Sequence, residues 1–256
     1  MAHPYFVWNG TDSRDMGVIV TEYPPIIYPT ERAETVSVPG RSGFFTRTEG
    51  AHVYDGYLKT IGVGCRRDAD YRAIAAWLRG SGKLIIGSEP DFEYDARVLK
   101  EISAERIFEN VYSGNVAFMV QPGKRRVPPE SDIMITAENT AVYNPGDLPA
   151  RPVYTLTGSG RMILTITPQA TQSEVVIDPT DTAWEETLTG AIIDSDTMTV
   201  TTPDGEQGIT GITSIYYNGH AGLWIPPKST VYVSAGVSDA NGELTSVRIT
   251  PRWRWL

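Results

Sequence analysis

The sequence predicts a mainly β protein with one helix, arranged as two parts. Three observations carry this. Apolar residues come in short, often alternating runs bounded by Gly, Pro, Asn or Asp, as strands between turns do. One stretch alone spaces its apolar residues as a helix does. The segment 121–130 sets Pro122, Gly123 and Pro128-Pro129 among the cations Lys124, Arg125 and Arg126, which suits an exposed connection. The boundary falls there, giving parts 1–130 and 131–256.

In the first part, Tyr5-Phe6-Val7-Trp8 predicts a strand, Asn9-Gly10 a tight hairpin turn and Val18-Ile19-Val20 the return strand. Asn9-Gly10-Thr11 also fits a glycosylation sequon, but the opening residues lack the basic and apolar regions of a secretion signal, so the turn reading stands. Prolines interrupt 23–28, which predicts an edge strand or an extended connector. Thr35-Val36-Ser37-Val38 alternates, and Gly40 and Gly43 open a stretch, 39–56, that is long for a simple hairpin. An ordered protrusion of that length predicts a function.

Asp68 is placed to cap the helix, Tyr71, Ile74, Ala75 and Leu78 recur at helical spacing, and Gly80 and Gly82 end it. Lys83-Leu84-Ile85-Ile86 predicts a buried strand, Ser88-Glu89-Pro90-Asp91 a turn, and 92–99 and 111–120 alternating strands. In the second part, strands are expected at 153–157, 161–167, 174–178, 191–193, 197–202, 209–216, 230–235 and 244–250. Turn residues every eight to twelve positions or so between them indicate a sandwich or jelly roll. In 161–167, Met162, Leu164 and Ile166 share one face. In the closing Arg252-Trp253-Arg254-Trp255 the same period puts both tryptophans on one side, as in a final segment packed on a core rather than a membrane-active tail.

Composition narrows the function. A net charge of −9 argues against a general nucleic-acid binder, whose phosphate contacts need a basic field. Arg66-Arg67 and Lys124-Arg125-Arg126 are too short to reverse it and are read as solvated turns or as partners of nearby acids. No apolar run approaches the roughly 18 residues of a membrane helix, and the expectation is a protein made in a cytoplasm with no membrane insertion. One cysteine, Cys65, excludes an intrachain disulfide and two-cysteine metal sites.

Sites of chemistry are weak throughout. Gly80-Ser81-Gly82-Lys83 resembles a phosphate loop, but Trp77 stands where its first glycine belongs and Leu84 where Ser or Thr would bind magnesium. His3, His52 and His220 are far apart in sequence and form no local ligand set. Asp178, Asp181, Glu185, Glu186, Asp194 and Asp196 with Trp184 and Trp224 could be drawn as a sugar cleft, yet acids beside Pro, Ser and Thr are ordinary turn chemistry that leaves carboxylates solvated. No catalytic residue, metal site or cofactor is assigned.

Several stretches carry a resemblance. Trp77-Leu78 closing a helix, then Gly82-Lys83-Leu84, Glu89-Pro90-Asp91, Tyr94 and Ala96-Arg97-Val98, is similar to the distal tail protein family of long-tailed phages. Asn9-Gly10, Asp12-Ser13 and Met16-Gly17 resemble that family's opening, Pro39-Gly40-Arg41-Ser42-Gly43 its first long loop, and 248–254 its closing strand. The resemblance implies a β-barrel-like or split-barrel first domain with one helix and a galectin-like β-sandwich second domain. It implies a structural protein of the virion tail tip or baseplate, not an enzyme, forming a homohexameric ring through which DNA passes. Its implied partners are further copies of itself, the tail tube protein, the tail-associated lysin or fibre hub, and a receptor-binding protein. In that family the extension corresponding to 39–56 reaches the next subunit, which makes Pro39, Gly40, Arg41, Gly43, Phe44 and Phe45 the expected ring interface. The alternative is a carbohydrate-binding module for host cell-wall glycans; a weaker third is a cell-wall hydrolase.

Overall fold

The computed structural model describes residues 4–48, 53–66, 69–99, 103–108, 111–135, 139–167, 173–177, 189–203, 212–217, 223–238 and 242–256. The chain divides into two compact units, residues 1–129 and 130–255. Each has its own buried apolar cluster.

The first unit contains β1 (Phe6–Trp8), β2 (Thr11–Asp12), β3 (Val18–Glu22), β4 (Ala33–Ser37), β5 (Phe44–Thr48), β6 (Tyr57–Cys65), the helix α1 (Tyr71–Trp77), β7 (Ser81–Ile86), β8 (Glu89–Val98), β9 (Ser103–Phe108), β10 (Val111–Val120) and β11 (Arg125–Arg126). All but β4 and β5 join one nine-stranded antiparallel sheet with the path β2-β1-β7-β8-β10-β6-β3; β11 pairs with β8 and β9 with β10. The two ends of that path, β2 and β3, are joined by only the turn 13–17, so the sheet has to curl into a half-barrel to bring its edges together. Phe6, Trp8, Ile61, Leu84, Tyr94 and Phe118 fill its concave side.

The helix closes this half-barrel. Asp70 caps it, its Oδ1 accepting the Arg72 and Ala73 N–H groups at 2.9 and 3.2 Å. The expected cap, Asp68, lies outside the described residues. Ile74 and Leu78 face the core. Trp77 stacks on Phe6 with centroids 5.5 Å apart. Its indole Nε1 donates to the Trp8 carbonyl at 3.2 Å, and the Trp8 Nε1 donates to the Trp77 carbonyl at 3.1 Å.

Four local expectations change. Asn9-Gly10 is the tight turn, with φ of 50° and 80°, but its return strand is Thr11–Asp12; a second turn through Gly17 sends Val18–Glu22 across to β6 instead. Gly80, at φ 73°, ends the helix alone, whereas Gly82 lies in β7, at a point where the Asn9 side chain occupies the place of a Cβ. The turn after β7 is Gly87-Ser88, and Glu89 already begins β8. The segment 121–130 is not an open connection throughout, because Arg125 and Arg126 pair with Glu93 and Phe92 of β8.

The second unit is a β-sandwich. Its strands are β12 (Ile133–Ile135), β13 (Thr140–Tyr143), β14 (Val153–Ser159), β15 (Met162–Thr167), β16 (Ser173–Ile177), β17 (Gly190–Asp194), β18 (Thr199–Thr201), β19 (Ile212–Tyr217), β20 (Thr230–Val237) and β21 (Glu243–Thr250). They form two antiparallel sheets, β12-β21-β14-β17-β18 and β13-β20-β15-β16-β19. Tyr154, Leu156, Ile193, Val247 and Ile249 of one meet Val142, Met162, Leu164, Ile166 and Val233 of the other. The alternation expected along 161–167 is present, with Met162, Leu164 and Ile166 buried.

Limited proteolysis tests whether the units fold independently. The first cut is expected between Pro129 and Ile133, beyond the last pairing to β8, leaving two protected fragments; preferred cleavage elsewhere would count against this.

Candidate assembly surface

The strands left out of the first unit's sheet form its most unusual element. β4 and β5 pair only with each other, in the register Ala33↔Thr48, Thr35↔Thr46 and Ser37↔Phe44. Below them the ribbon continues toward the body: Glu31 bridges Tyr54, the Arg32 N–H donates to the Val53 carbonyl at 2.8 Å, and the Asp55 N–H donates to the Thr30 carbonyl at 2.9 Å. Arg32 Nε and Asp55 Oδ1, 2.8 Å apart, pin the base. From Thr30 to Val38 such a ribbon reaches about 30 Å. The stretch expected as a long loop is therefore a two-stranded arm with a short tip at 38–43; residues 49–52 lie outside the described ones.

Every residue of β4 and β5 is exposed. Val36 (42%), Val38 (40%), Phe44 (67%) and Phe45 (48%) all present apolar surface to solvent. The tip is set by Gly40 and Gly43, at φ 80° and 89°, a conformation other residues resist. Arg41 lies over the Phe45 ring at 4.3 Å. Pro39, Gly40, Arg41, Gly43, Phe44 and Phe45 are thus brought together on the tip and outer strand of the arm. An isolated two-stranded hairpin is marginally stable in water, and this one buries nothing of its own.

Two groups of ion pairs flank β8 in the body of the first unit, that of Asp95 on the outer side and that of Glu89 with the buried Tyr94 and Lys59. On β8 and its neighbours, Asp95 accepts Lys83 Nζ and Arg125 Nη2, the latter at 2.7 Å. Glu89 gathers Lys124 Nζ at 2.7 Å, Lys59 Nζ at 3.4 Å and the Tyr94 hydroxyl. Lys124 and Arg125 are therefore partners of nearby acids rather than solvated turn cations. Lys59 is 2% exposed, with its ammonium 4.7 Å from the Tyr94 ring. Burial pulls the Lys59 ammonium below its usual range against the attraction of Glu89. Burial would raise the Glu89 carboxyl, but hydrogen bonds from Lys124 and Tyr94 and the two lysine charges outweigh it and hold the group low. Burial, with the Glu89 charge adding, pushes Tyr57 up to about 12.

The residues weighed for chemistry are dispersed. Ser81, Gly82 and Lys83 run along β7 and make no phosphate loop. His3, His52, His220, Asp178, Asp181, Trp184, Glu185 and Glu186 lie outside the described residues. Among the described residues no group of acids, histidines and cysteine is placed to hold a metal ion. Asp194 and Asp196, expected as solvated turn acids, are instead ion-paired: Arg252 grips Asp194 through two contacts of 3.0 and 2.9 Å, and Asp196 meets Arg151 at 2.5 Å and Arg254 at 3.7 Å. Burial raises the Asp194 carboxyl, while Arg252 and the Asp196 and Thr197 N–H groups more than offset that. Trp224 donates to the Ser195 carbonyl at 2.8 Å and carries the Arg151 guanidinium 4.0 Å over its ring. Trp253 is buried and Trp255 packs beside it on the sandwich core, with Arg252 and Arg254 on the acids, as the period of two predicts.

Glu89 gives the first unit an acid limit. Its folded carboxyl titrates below its unfolded one, so its contribution is complete above the unfolded pKa of about 4.3 and disappears as pH falls through the lower folded value. Glu89→Gln, which leaves Lys59 without its counter-charge, is expected to cost roughly 1–3 kcal/mol at neutral pH and to flatten the acid limb of stability. Urea unfolding between pH 3 and 7 measures both; an unchanged acid limb would count against this role.

No family model matches the chain, and no curated protein matches it. Among solved structures, the SPP1 Dit protein, described as a paradigm of the hub adsorption apparatus in phages infecting Gram-positive bacteria, aligns over 100% of both chains with a TM-score of 0.76 at 14% identity. A chain of the phage P2 baseplate in its activated conformation with Ca aligns over 98% of both chains at 8% identity and a TM-score of 0.48. From end to end, the chain has the fold of the SPP1 Dit protein, the fold that its resemblance to phage distal tail proteins implied.

Proposed function

We propose that this chain is a structural component of a phage tail tip that assembles with copies of itself into a ring, six copies in the reading from its sequence. The observation that carries this is the arm: a ribbon of β4 and β5 with Val36, Val38, Phe44 and Phe45 in water and no surface of its own to bury them. Val36, Val38 and Phe45 share one face of the ribbon and Phe44 takes the other, and exposed apolar surface on an ordered protrusion suits a protein–protein contact. A contact made by a protrusion on one copy and a different surface on the next is head-to-tail, and such contacts close into rings when the rotation allows. The fold shared with the SPP1 Dit protein supports the tail-tip setting.

In this reading the ring joins the tail tube to the adhesion hub and lets DNA pass, a passive role in keeping with a net charge of −9, since a basic lumen would hold DNA by counterion release. The second unit's sandwich faces a receptor-binding or hub partner. The alternative of a glycan-binding module has less support: Trp224, the described ring it would use, is already covered by Arg151 and tied to Ser195.

Light scattering on the purified protein is expected to give the mass of a ring rather than of one chain. Phe44→Asp with Phe45→Asp, at exposed positions that cost the fold little, is expected to reduce it to a single chain with unchanged circular dichroism. A single chain in the unmodified protein, or undiminished assembly in the variant, would overturn the reading.

A further inference from the structure

The outer face of the first unit's sheet is divided by charge. Across β7, β8 and β11 it carries the ion pairs of Lys83, Asp95 and Arg125. Across β10, β6 and β3 it carries almost none. There Leu58 stands opposite Met119, Thr60 opposite Ala117, Asn115 opposite Gly62, and Ile19 opposite Gly64. These positions alternate with the buried Ile61, Val63, Val116 and Phe118, so they face outward together. Among the described residues of these three strands, the charged side chain on this side is Glu22, at the bulge on the β3 edge. Thr21 and Glu22 lie against Gly62, and Leu58 and Ile19 are more than a third exposed.

We infer that this uncharged face is the seat of the arm of a second copy, an inference that rests on the self-association proposed above. Two features of the chain match. The arm offers Val36, Val38, Phe44 and Phe45 without a surface to cover them, and the face offers a neutral, low-relief sheet on which such side chains lose no ion hydration. The arm leaves the body between β3 and β6, at the border of this same face, yet its own residues are exposed and lie on nothing. Donor and seat are therefore different surfaces side by side on one chain, the arrangement a head-to-tail ring needs. The charged half across β7 and β8 would be a poor seat, because docking an apolar ribbon there would strip water from paired acids and cations without replacing it.

The test uses the full chain with Cys65→Ser to remove the native thiol. Chains carrying Thr60→Cys are mixed with chains carrying Phe45→Cys under mild oxidation, and a disulfide joining one of each is expected. In parallel, Ala117→Glu and Thr60→Lys should each weaken assembly about tenfold or more, while Lys83→Gln, on the charged half and separated from β10 by β8, should leave it unchanged. If the unmodified protein assembles and loses assembly with the Phe44→Asp, Phe45→Asp arm, but both seat variants assemble normally and no mixed disulfide forms, the arm docks elsewhere and the seat is overturned while the ring reading stands. If the unmodified protein is a single chain at every concentration, the ring reading and the seat fall together. Should both seat variants also lose their circular dichroism signal, the mixed disulfide decides: its formation upholds the seat and its absence overturns it.

Discussion

The first unit depends on a pair of reciprocal hydrogen bonds. Trp8 lies on the first strand and Trp77 ends the helix, and each indole N–H donates to the other residue's carbonyl. A buried indole needs an acceptor, and a helix end has carbonyls to spare, so each residue satisfies the other's deficit. The result fixes the crossover from β6 to β7 against β1. With β1 held there, β7 pairs beside it through Phe6↔Ile86 and Trp8↔Leu84, and the sheet proceeds through β8 and β10 to β6. Phe118, 5.2 Å from Trp8 and 5.8 Å from Phe6, carries the same packing to β10. The curl of the half-barrel is thus anchored at one aromatic contact, with hydrogen bonds to give it direction.

That anchoring explains why the arm can stay bare. A body whose core residues Phe6, Trp8, Ile61, Leu84, Ile86 and Phe118 are fully buried without them does not need β4 and β5 for its core. The arm is a surplus of apolar side chains on a ribbon of strand-forming residues, held by ladder bonds at its base and by the Arg32–Asp55 pair. Ion pairs do the opposite task on the body. Glu89 answers the buried Lys59 from the core side, while on the outer side Asp95 holds Lys83 and Arg125 at β7, β8 and β11, so that charge and apolar surface end on different parts of one sheet.

Much of this was legible in the sequence, for a physical reason that also marks where reading stopped. Period and turn chemistry are local, so the helix, the Asn9-Gly10 turn and the eight strand positions of the second unit could be placed, some of them to within two residues. Partner choice is not local. Val18–Glu22 was expected to pair with β1, and nothing in its own residues says that β6 takes it. Gly82 reads as a helix stop until Asn9, more than seventy positions away, is seen to occupy its Cβ space. β11 was missed because two arginines are a poor strand signal, and only the acids of β8 make them one. The candidate interface was found through Gly40 and Gly43 and a resemblance; its form as a paired arm needed the register of β4 on β5.

The second unit shows how the same reading can misjudge a site and still judge its chemistry. Asp194 and Asp196 were discounted as catalytic acids because turn carboxylates should be solvated. They are partly exposed and ion-paired: Arg252 grips the first, and Arg151 and Arg254 share the second. The ion pairs bear on the glycosidase reading of Asp194 in another way. A glycosidase pair needs one carboxyl kept protonated by an apolar setting while its partner ionises. Arg252 does the reverse at Asp194, favouring its charged form, and that carboxyl is held low. What the cluster does instead is mechanical. It fastens the segment after β21, with Trp253 buried on the other side, to the turn that follows β17, so that this segment is held by charge on one face and by the core on the other.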